Sequence, residues 1–201
     1  KDLFIAGGTL LTTAAVMPFD KDIKKYVAKN HSDINDKISD VGKAYGNVIT
    51  PIVAGGGIYA YGLFFKNDDV RVTGRMLIEA VAYAGAITTV IKSVAGRSRP
   101  YTGDDSWFFK PFQFNAAHTS FPSGHATVAF AMSTVLSERI HNVYASVALY
   151  TIAGITDISR VYTNDHWASD VVLASAIGYF VGHYIANNSG ALYKFSGGKF
   201  T

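Results

Sequence analysis

The sequence contains no cysteine. Disulfide bonds, thiolate nucleophiles and zinc sites built on cysteine are therefore excluded. The sequence also has little excess of either charge, because 18 Lys and Arg residues and 15 Asp and Glu residues leave a formal net charge of +3. Such a small excess, scattered along the chain, does not favour a nucleic-acid partner. It is compatible with an anionic substrate or with a membrane surface.

The sequence also lacks the dense apolar run of about 20 residues that an ordinary membrane-spanning helix needs. The best candidate, residues 47–65, contains Pro51 and three consecutive glycines, and residues 76–91 contain Glu79. The mean hydropathy of +0.16 is modest. Gly and Ala are frequent where membrane helices pack closely, which argues for an integral protein. We nevertheless expect a soluble or peripheral protein.

Apolar residues recur at helical spacing through most of the chain, and strand signals are weak. The sequence therefore predicts an all-α fold, a single helical bundle, with one domain over residues 1–186 and a loosely ordered tail over 187–201. Residues 66–75 are predicted to form a polar connection between two helices. Residues 96–121 are predicted to be irregular, and loops of that length are often functional.

Two cations mark the end of the helix before that loop. Lys92 and Arg99 are seven residues apart and would share a face if the helix continued, whereas Arg97 would point elsewhere. Arg offers a planar fork of donors and Lys a compact charge, so that converging cations suit a phosphate dianion. A solvated basic helix end is the alternative.

A second stretch, residues 121–125, directly precedes an apolar helix. Ser123 is suited to cap that helix, and Gly124 lets a ligand approach the backbone closely. Free amides at a helix start favour an anion, which would place His125 beside it. An ordinary helix cap followed by a surface histidine is the alternative.

A third stretch, residues 159–170, carries a histidine and a carboxylate four residues apart, His166 and Asp170. On a helix they would share a face, and the carboxylate would fix the tautomer of the ring and leave its other nitrogen free to attack. The alternative is an exposed pair that supports the helix by only about 0.2–0.5 kcal/mol.

In chain order the three stretches read Lys92-x6-Arg99-Pro100, Pro122-Ser123-Gly124-His125 and Ser159-Arg160-x5-His166-x3-Asp170. Together they resemble the three-part signature of the type 2 phosphatidic acid phosphatase (PAP2) superfamily. That superfamily includes bacterial lipid phosphatases, class A acid phosphatases and vanadium haloperoxidases. The motifs span residues 92–170, less than half of the chain, and no signature position departs from the pattern.

The resemblance implies a metal-independent, cofactor-free phosphatase placed outside the cytoplasm, in the periplasm. His166 would attack phosphorus, Asp170 would orient it, and His125 would protonate the leaving oxygen. The phosphoryl oxygens would be held by three cations and two backbone amides, those of Lys92, Arg99, Arg160, Ser123 and Gly124. We therefore expect hydrolysis of a phosphomonoester or pyrophosphate through a phosphohistidine.

Aromatic residues are concentrated in the loop beside these motifs: Tyr101, Trp107, Phe108, Phe109, Phe112, Phe114 and Phe121. They favour a lipid phosphate as substrate or contact with a membrane interface. A loop that packs on its own aromatics is an equally open interpretation.

Two other functions stay open. Vanadium haloperoxidases hold vanadate with nearly the same residues, but they are usually much longer, and Ser159 before Arg160 resembles the phosphatase branch. A protein that only binds lipid phosphates would need the cations but not His125, His166 and Asp170. The sequence identifies neither the substrate nor the oligomeric state.

Overall fold

A computed structural model describes residues 2–195, with the side chains of residues 7–188. These residues form eight α-helices and no β-strand, which confirms the all-α fold; an isolated antiparallel bridge joins Arg97 and Phe109. The helices are α1 (Asp2–Val16), α2 (Asp20–Ala28), α3 (Asp33–Tyr45), α4 (Ile49–Phe64), α5 (Asp68–Ala95), α6 (Gly124–Ile140), α7 (Val143–Tyr162) and α8 (Ala168–Phe195).

Two boundaries differ from the sequence-based prediction. Most of the predicted connection 66–75 lies inside α5, because the Asn67 side chain caps the helix by accepting from the Val70 amide at 3.1 Å. Acidic residues in the first turn favour the same start through the helix dipole. At the other end, α8 runs to Phe195, past the predicted domain boundary at 186. Residues 196–201 of the predicted tail lie outside the described part.

The apolar core lies where α5, α6 and α8 meet, and α4 and α7 pack on its outside. Small residues bring these helices close together. A Cβ added at Gly178 of α8 would lie 2.4 Å from the Thr127 carbonyl oxygen and 2.8 Å from the Ala131 amide nitrogen of α6. The crossing therefore requires glycine, and it fixes the position of the α6 start relative to the α8 start.

The expectation of a soluble or peripheral protein is wrong. By length and composition, α5 and residues 168–188 of α8 can each cross a membrane, and α3 with α4, bent by 54°, would form a third span. Two glycines, Gly55 of α4 and Gly74 of α5, lie where these helices contact each other. A Cβ at Gly74, for example, would lie 2.4 Å from the Tyr59 amide nitrogen. Five large apolar side chains on α4 and α5 are 51–80% exposed: Ile52, Val53, Phe64, Tyr83 and Val90.

Candidate active site

The first cations come from the end of α5 and the chain after it. The helix ends at Ala95, where the irregular segment 96–121 was predicted to begin, and it is capped by Gly96 at φ +60°. A Cβ on Gly96 would lie 1.8 Å from the Lys110 carbonyl oxygen, so that only glycine fits. This turn, rather than a shared helix face, brings Arg99 back toward Lys92. The Lys92 ammonium donates to the Thr119 carbonyl at 2.5 Å.

The second element is the start of α6. Ser123 is fully buried, and its hydroxyl accepts from the Ala126 amide at 3.4 Å, as expected of a cap. Its own amide donates to the Asp170 carbonyl at 3.1 Å, so the predicted contribution of that amide to phosphate binding is not supported. The amides of Gly124 and His125 begin the helix, where the helix itself offers no acceptor. Lys92 lies directly beside Gly124.

The third element joins α7 to α8. His166 precedes α8 and is 3% exposed, and Asp170 lies fully buried in its first turn. His166 Nδ1 lies 3.6 Å from Asp170 Oδ2, which also accepts from the Trp167 amide at 2.8 Å and the Ser120 hydroxyl at 2.5 Å. The 3.6 Å separation is too long for a formed hydrogen bond, but catalytic hydrogen bonds are often long before a substrate binds. Because Nδ1 faces the carboxylate, Nε2 is the ring nitrogen that remains for a ligand.

Two residues behind this pair were missed by sequence reasoning. Arg97, fully buried, donates from Nη1 to Asp170 Oδ1 at 2.6 Å and from Nη2 to Asp20 Oδ2 at 2.7 Å. Asp20 in turn accepts from the Ser169 amide at 2.9 Å. Arg97 thus binds the oxygen of Asp170 opposite the one that faces His166. Asp20 gives no local signal, since its partners lie 77 and 149 residues away.

Two arginines carry hydrogen-bond donors without protein acceptors. Among the described residues, Arg99 Nε and Arg160 Nε and Nη1 are buried and have no partner. Buried donors without partners are costly in a folded protein, and a bound anion would satisfy them. Burial, followed by the charge of Arg99, lowers the pKa of Arg160 to about 10, so that it remains a cation at neutral pH. Both arginines also contact Asp165.

The electrostatics of His166 suit a nucleophile. Burial lowers the pKa of His166 to about 3; the neighbouring Lys92 and Arg99 act in the same direction, and Asp170 opposes them. At neutral pH the ring is therefore uncharged and keeps a lone pair on one nitrogen.

His125 lies in the same field. Burial, together with the charges of the cations Arg160, Lys43, Arg99 and Lys92, lowers the pKa of His125 to about 4. Because Lys92 and Arg99 act on both histidines, the structure brings the predicted cations and both rings together. A doubly charged anion among these cations would favour the protonated form of His125.

Other titratable residues of the loop have partners of their own. His118 Nδ1 forms a hydrogen bond with the Ser98 hydroxyl at 2.8 Å. The described residues contain no group of three or more His, Cys, Asp or Glu side chains that could hold a metal ion. The adjacent Asp104 and Asp105 do not act as a pair, since Asp105 pairs with Lys21 and Asp104 contacts Thr102.

The aromatic loop divides into two parts. Phe109 and Phe121 contact each other and lie against the Arg97 guanidinium, with centroid distances of 5.4 and 5.8 Å. The outer side chains are 43–79% exposed: Tyr101, Trp107, Phe108, Phe112 and Phe114. An exposed aromatic surface therefore adjoins the cation group.

A model of the PAP2 superfamily matches residues 74–193 of this chain, which include all three motifs. A lipid A 1-phosphatase of Porphyromonas gingivalis is 30% identical over 179 residues, which cover 86% of this chain and 36% of that protein. A lipid A 1-phosphatase of Rhizobium etli is 34% identical over 110 residues, 52% of this chain and 45% of that protein. The chain thus spans less than half the length of these two relatives.

Two solved structures share the fold. The transmembrane PAP2 type phosphatidylglycerolphosphate phosphatase of Bacillus subtilis superposes with a TM-score of 0.74 at 20% identity, over 97% of this chain and 98% of that one. LpxE of Aquifex aeolicus superposes with a TM-score of 0.65 at 18% identity, over 83% and 94%. The transmembrane neighbour adds to the evidence against a soluble or peripheral protein. With the family model matched over more than half of its length, this chain belongs to the PAP2 superfamily.

Proposed function

We propose that this chain is a membrane-spanning phosphatase that hydrolyses a lipid phosphate through a phosphohistidine on His166, without a metal ion. The observation that carries the proposal is the buried, uncharged His166, which faces Asp170 at 3.6 Å and lies in the field of Lys92 and Arg99. Nucleophile, orienting carboxylate and anion-binding cations thereby occur in one place.

In the first step His166 Nε2 forms a bond to phosphorus while the bond from phosphorus to the leaving oxygen breaks, and His125 gives its proton to that oxygen. In the second step a water oxygen attacks phosphorus, His125 takes the water proton, and the nitrogen–phosphorus bond breaks. Lys92, Arg99, Arg160 and the amide of Gly124 stabilise the charge on the phosphoryl oxygens. Asp170 stabilises the positive ring that forms on His166.

The substrate class is proposed from the relatives and from the loop. Both curated relatives described above are named lipid A 1-phosphatases, and the exposed aromatics beside the site suit the apolar part of a lipid. The phosphate of lipid A is therefore the first substrate to test, followed by phosphatidylglycerolphosphate and a soluble phosphate ester.

The test measures inorganic phosphate released from this panel in detergent, with a metal chelator present. The parent protein is compared with His166→Ala and with a matched control, His183→Ala, which removes a histidine about 20 Å further along α8. We expect release by the parent and the control that survives chelation, and none by His166→Ala. Labelled phosphate should become attached to the parent protein in an acid-labile form.

Other results would point elsewhere. Release that persists in His166→Ala would remove the phosphohistidine mechanism, and release that stops on chelation would remove metal independence. A parent that releases no phosphate but oxidises halides with added vanadate would be a haloperoxidase. A parent that only binds lipid phosphates would not be an enzyme.

A further inference from the structure

Asp165, the residue before His166, places its carboxylate between the two arginines of the site. Its Oδ2 accepts from Arg160 Nη2 and from the Thr163 hydroxyl, the latter at 2.6 Å. Its Oδ1 lies 3.7 Å from Arg99 Nη1. In the described part of the chain these are the ion pairs that Arg99 and Arg160 form. A protein carboxylate thus contacts the same guanidinium groups that the proposed function assigns to the phosphoryl group.

Carboxylate and phosphoryl oxygens are alternative acceptors for a guanidinium fork. A phosphate that uses Arg99 Nη1 and Arg160 Nη2 must displace Asp165. A phosphate that uses only the unpartnered Nε and Nη1 donors must lie next to a like charge. Either arrangement costs binding free energy, since like charges at a few ångströms repel strongly in a partly buried site.

The side chain of Asp165 has room to move. It is 29% exposed, whereas the Arg160 side chain is 5% exposed. The backbone below it is fixed, because the amides of Asp165 and His166 both donate to the Arg160 carbonyl at 3.1 Å. Displacing the carboxylate therefore requires a change of side-chain rotamer but no movement of the nucleophile.

We propose that Asp165 competes with the phosphoryl group for Arg99 and Arg160 and thereby weakens the binding of inorganic phosphate, the product. The inference rests on the proposed function. A lipid substrate has its apolar part as an additional source of binding, but free phosphate has only the cations. A competing carboxylate therefore promotes product release, which limits the turnover of many enzymes.

The test compares the parent, Asp165→Asn and a matched control, Asp104→Asn, a half-buried aspartate of the neighbouring loop that contacts Thr102 and no arginine. Asp165→Asn keeps the shape of the side chain and an acceptor for the Thr163 hydroxyl, but it removes the negative charge. Binding of inorganic phosphate is measured by calorimetry in detergent, and the KM and kcat for a lipid phosphate in the same preparation. We expect Asp165→Asn to bind phosphate roughly tenfold more tightly, as for removal of a competing state. Its KM should fall, its kcat should not rise, and Asp104→Asn should match the parent.

Unchanged or weaker phosphate binding in Asp165→Asn, in a preparation that still hydrolyses the lipid, would overturn this inference alone. It would identify Asp165 as a residue that positions the arginines instead. A parent that neither binds phosphate nor releases it from any substrate would overturn the proposed function and this inference with it.

Discussion

Arg97 donates a hydrogen bond to Oδ1 of Asp170 at 2.6 Å, while Oδ2 of the same carboxylate faces His166. The guanidinium is shared with Asp20, so that one buried cation lies between two buried carboxylates. In the proposed mechanism this sharing affects His166. A cation paired with Asp170 alone would withdraw more of the negative charge that stabilises a positive His166.

We predict that Asp20→Asn lowers kcat by about tenfold or more, with little change in KM, because it misdirects the orienting carboxylate rather than the phosphate-binding cations. Steady-state kinetics on a lipid phosphate checks this, at a temperature where the variant is shown to be folded. Removing one partner of a buried ion pair destabilises a protein by about 3–5 kcal/mol. Asp22→Asn, an exposed change on the same helix, is the control. A rise in KM with unchanged kcat would place Asp20 in substrate binding instead.

The second prediction concerns His125 as general acid. His125→Ala should lower kcat by about 10²–10⁴ on a lipid phosphate, whose alkoxide leaving group needs a proton. It should lower kcat much less on p-nitrophenyl phosphate, because that leaving group departs without one. Rates on the two substrates, for the parent and the variant, provide the measurement. Equal losses on both would assign His125 to phosphate binding.

Local sequence patterns predicted part of the fold and part of the candidate site. The helical periodicity predicted the bundle, and the three motifs contain the two histidines and the cations Lys92, Arg99 and Arg160. These signals are local, since each depends on residues within about ten positions of one another. The contact between Asp20 and Arg97 bridges 77 residues and could not be read from spacing.

The prediction of a soluble or peripheral protein was wrong for a different physical reason. Uninterrupted apolar length was the criterion, and Pro51 and the three consecutive glycines of residues 47–65 counted against it. In the fold one of those glycines, Gly55, allows α4 to approach α5 closely, because a Cβ there would lie 2.9 Å from the Gly74 carbonyl oxygen. The polar run 66–75 was read as a connection, yet Asn67 caps a helix there and makes α5 28 residues long.

The third prediction follows from the lowered pKa of His125, about 4. A lowered pKa means that the ring loses its proton at lower pH, so that it is neutral at pH 7, whereas a general acid must carry a proton. A bound phosphate dianion offsets the cations and raises the pKa. The alkaline limb of kcat should therefore lie at higher pH than the titration of His125 in the free protein, followed by NMR. Coincident values would mean that His125 is not the acid.

The fourth prediction tests the helix crossing that aligns the site. Gly178→Ala should destabilise the protein by about 1–3 kcal/mol, because the added methyl meets the α6 backbone. Gly154→Ala is the matched control: nothing lies within 4 Å of its Cβ, and alanine favours a helix by about 0.5–1 kcal/mol. Thermal unfolding in detergent measures both. A neutral Gly178→Ala would mean that α6 and α8 are further apart than described.

The last prediction concerns the exposed aromatic surface. Trp107 and Phe108 are 56% and 43% exposed beside the cations, where they can contact the apolar part of a lipid. Replacing both with alanine should reduce kcat/KM for a long-chain lipid phosphate more than for a small soluble ester. Tyr144→Ala is the control, since this 82% exposed tyrosine lies at the opposite end of α7 from Arg160, about 24 Å along the helix. Equal losses on the two substrates would mean that the loop supports the site without contacting the lipid. A larger loss of kcat/KM on the lipid would show that the loop distinguishes a lipid phosphate from a soluble one. The cations alone cannot make this distinction, because both substrates present the same phosphoryl group to them.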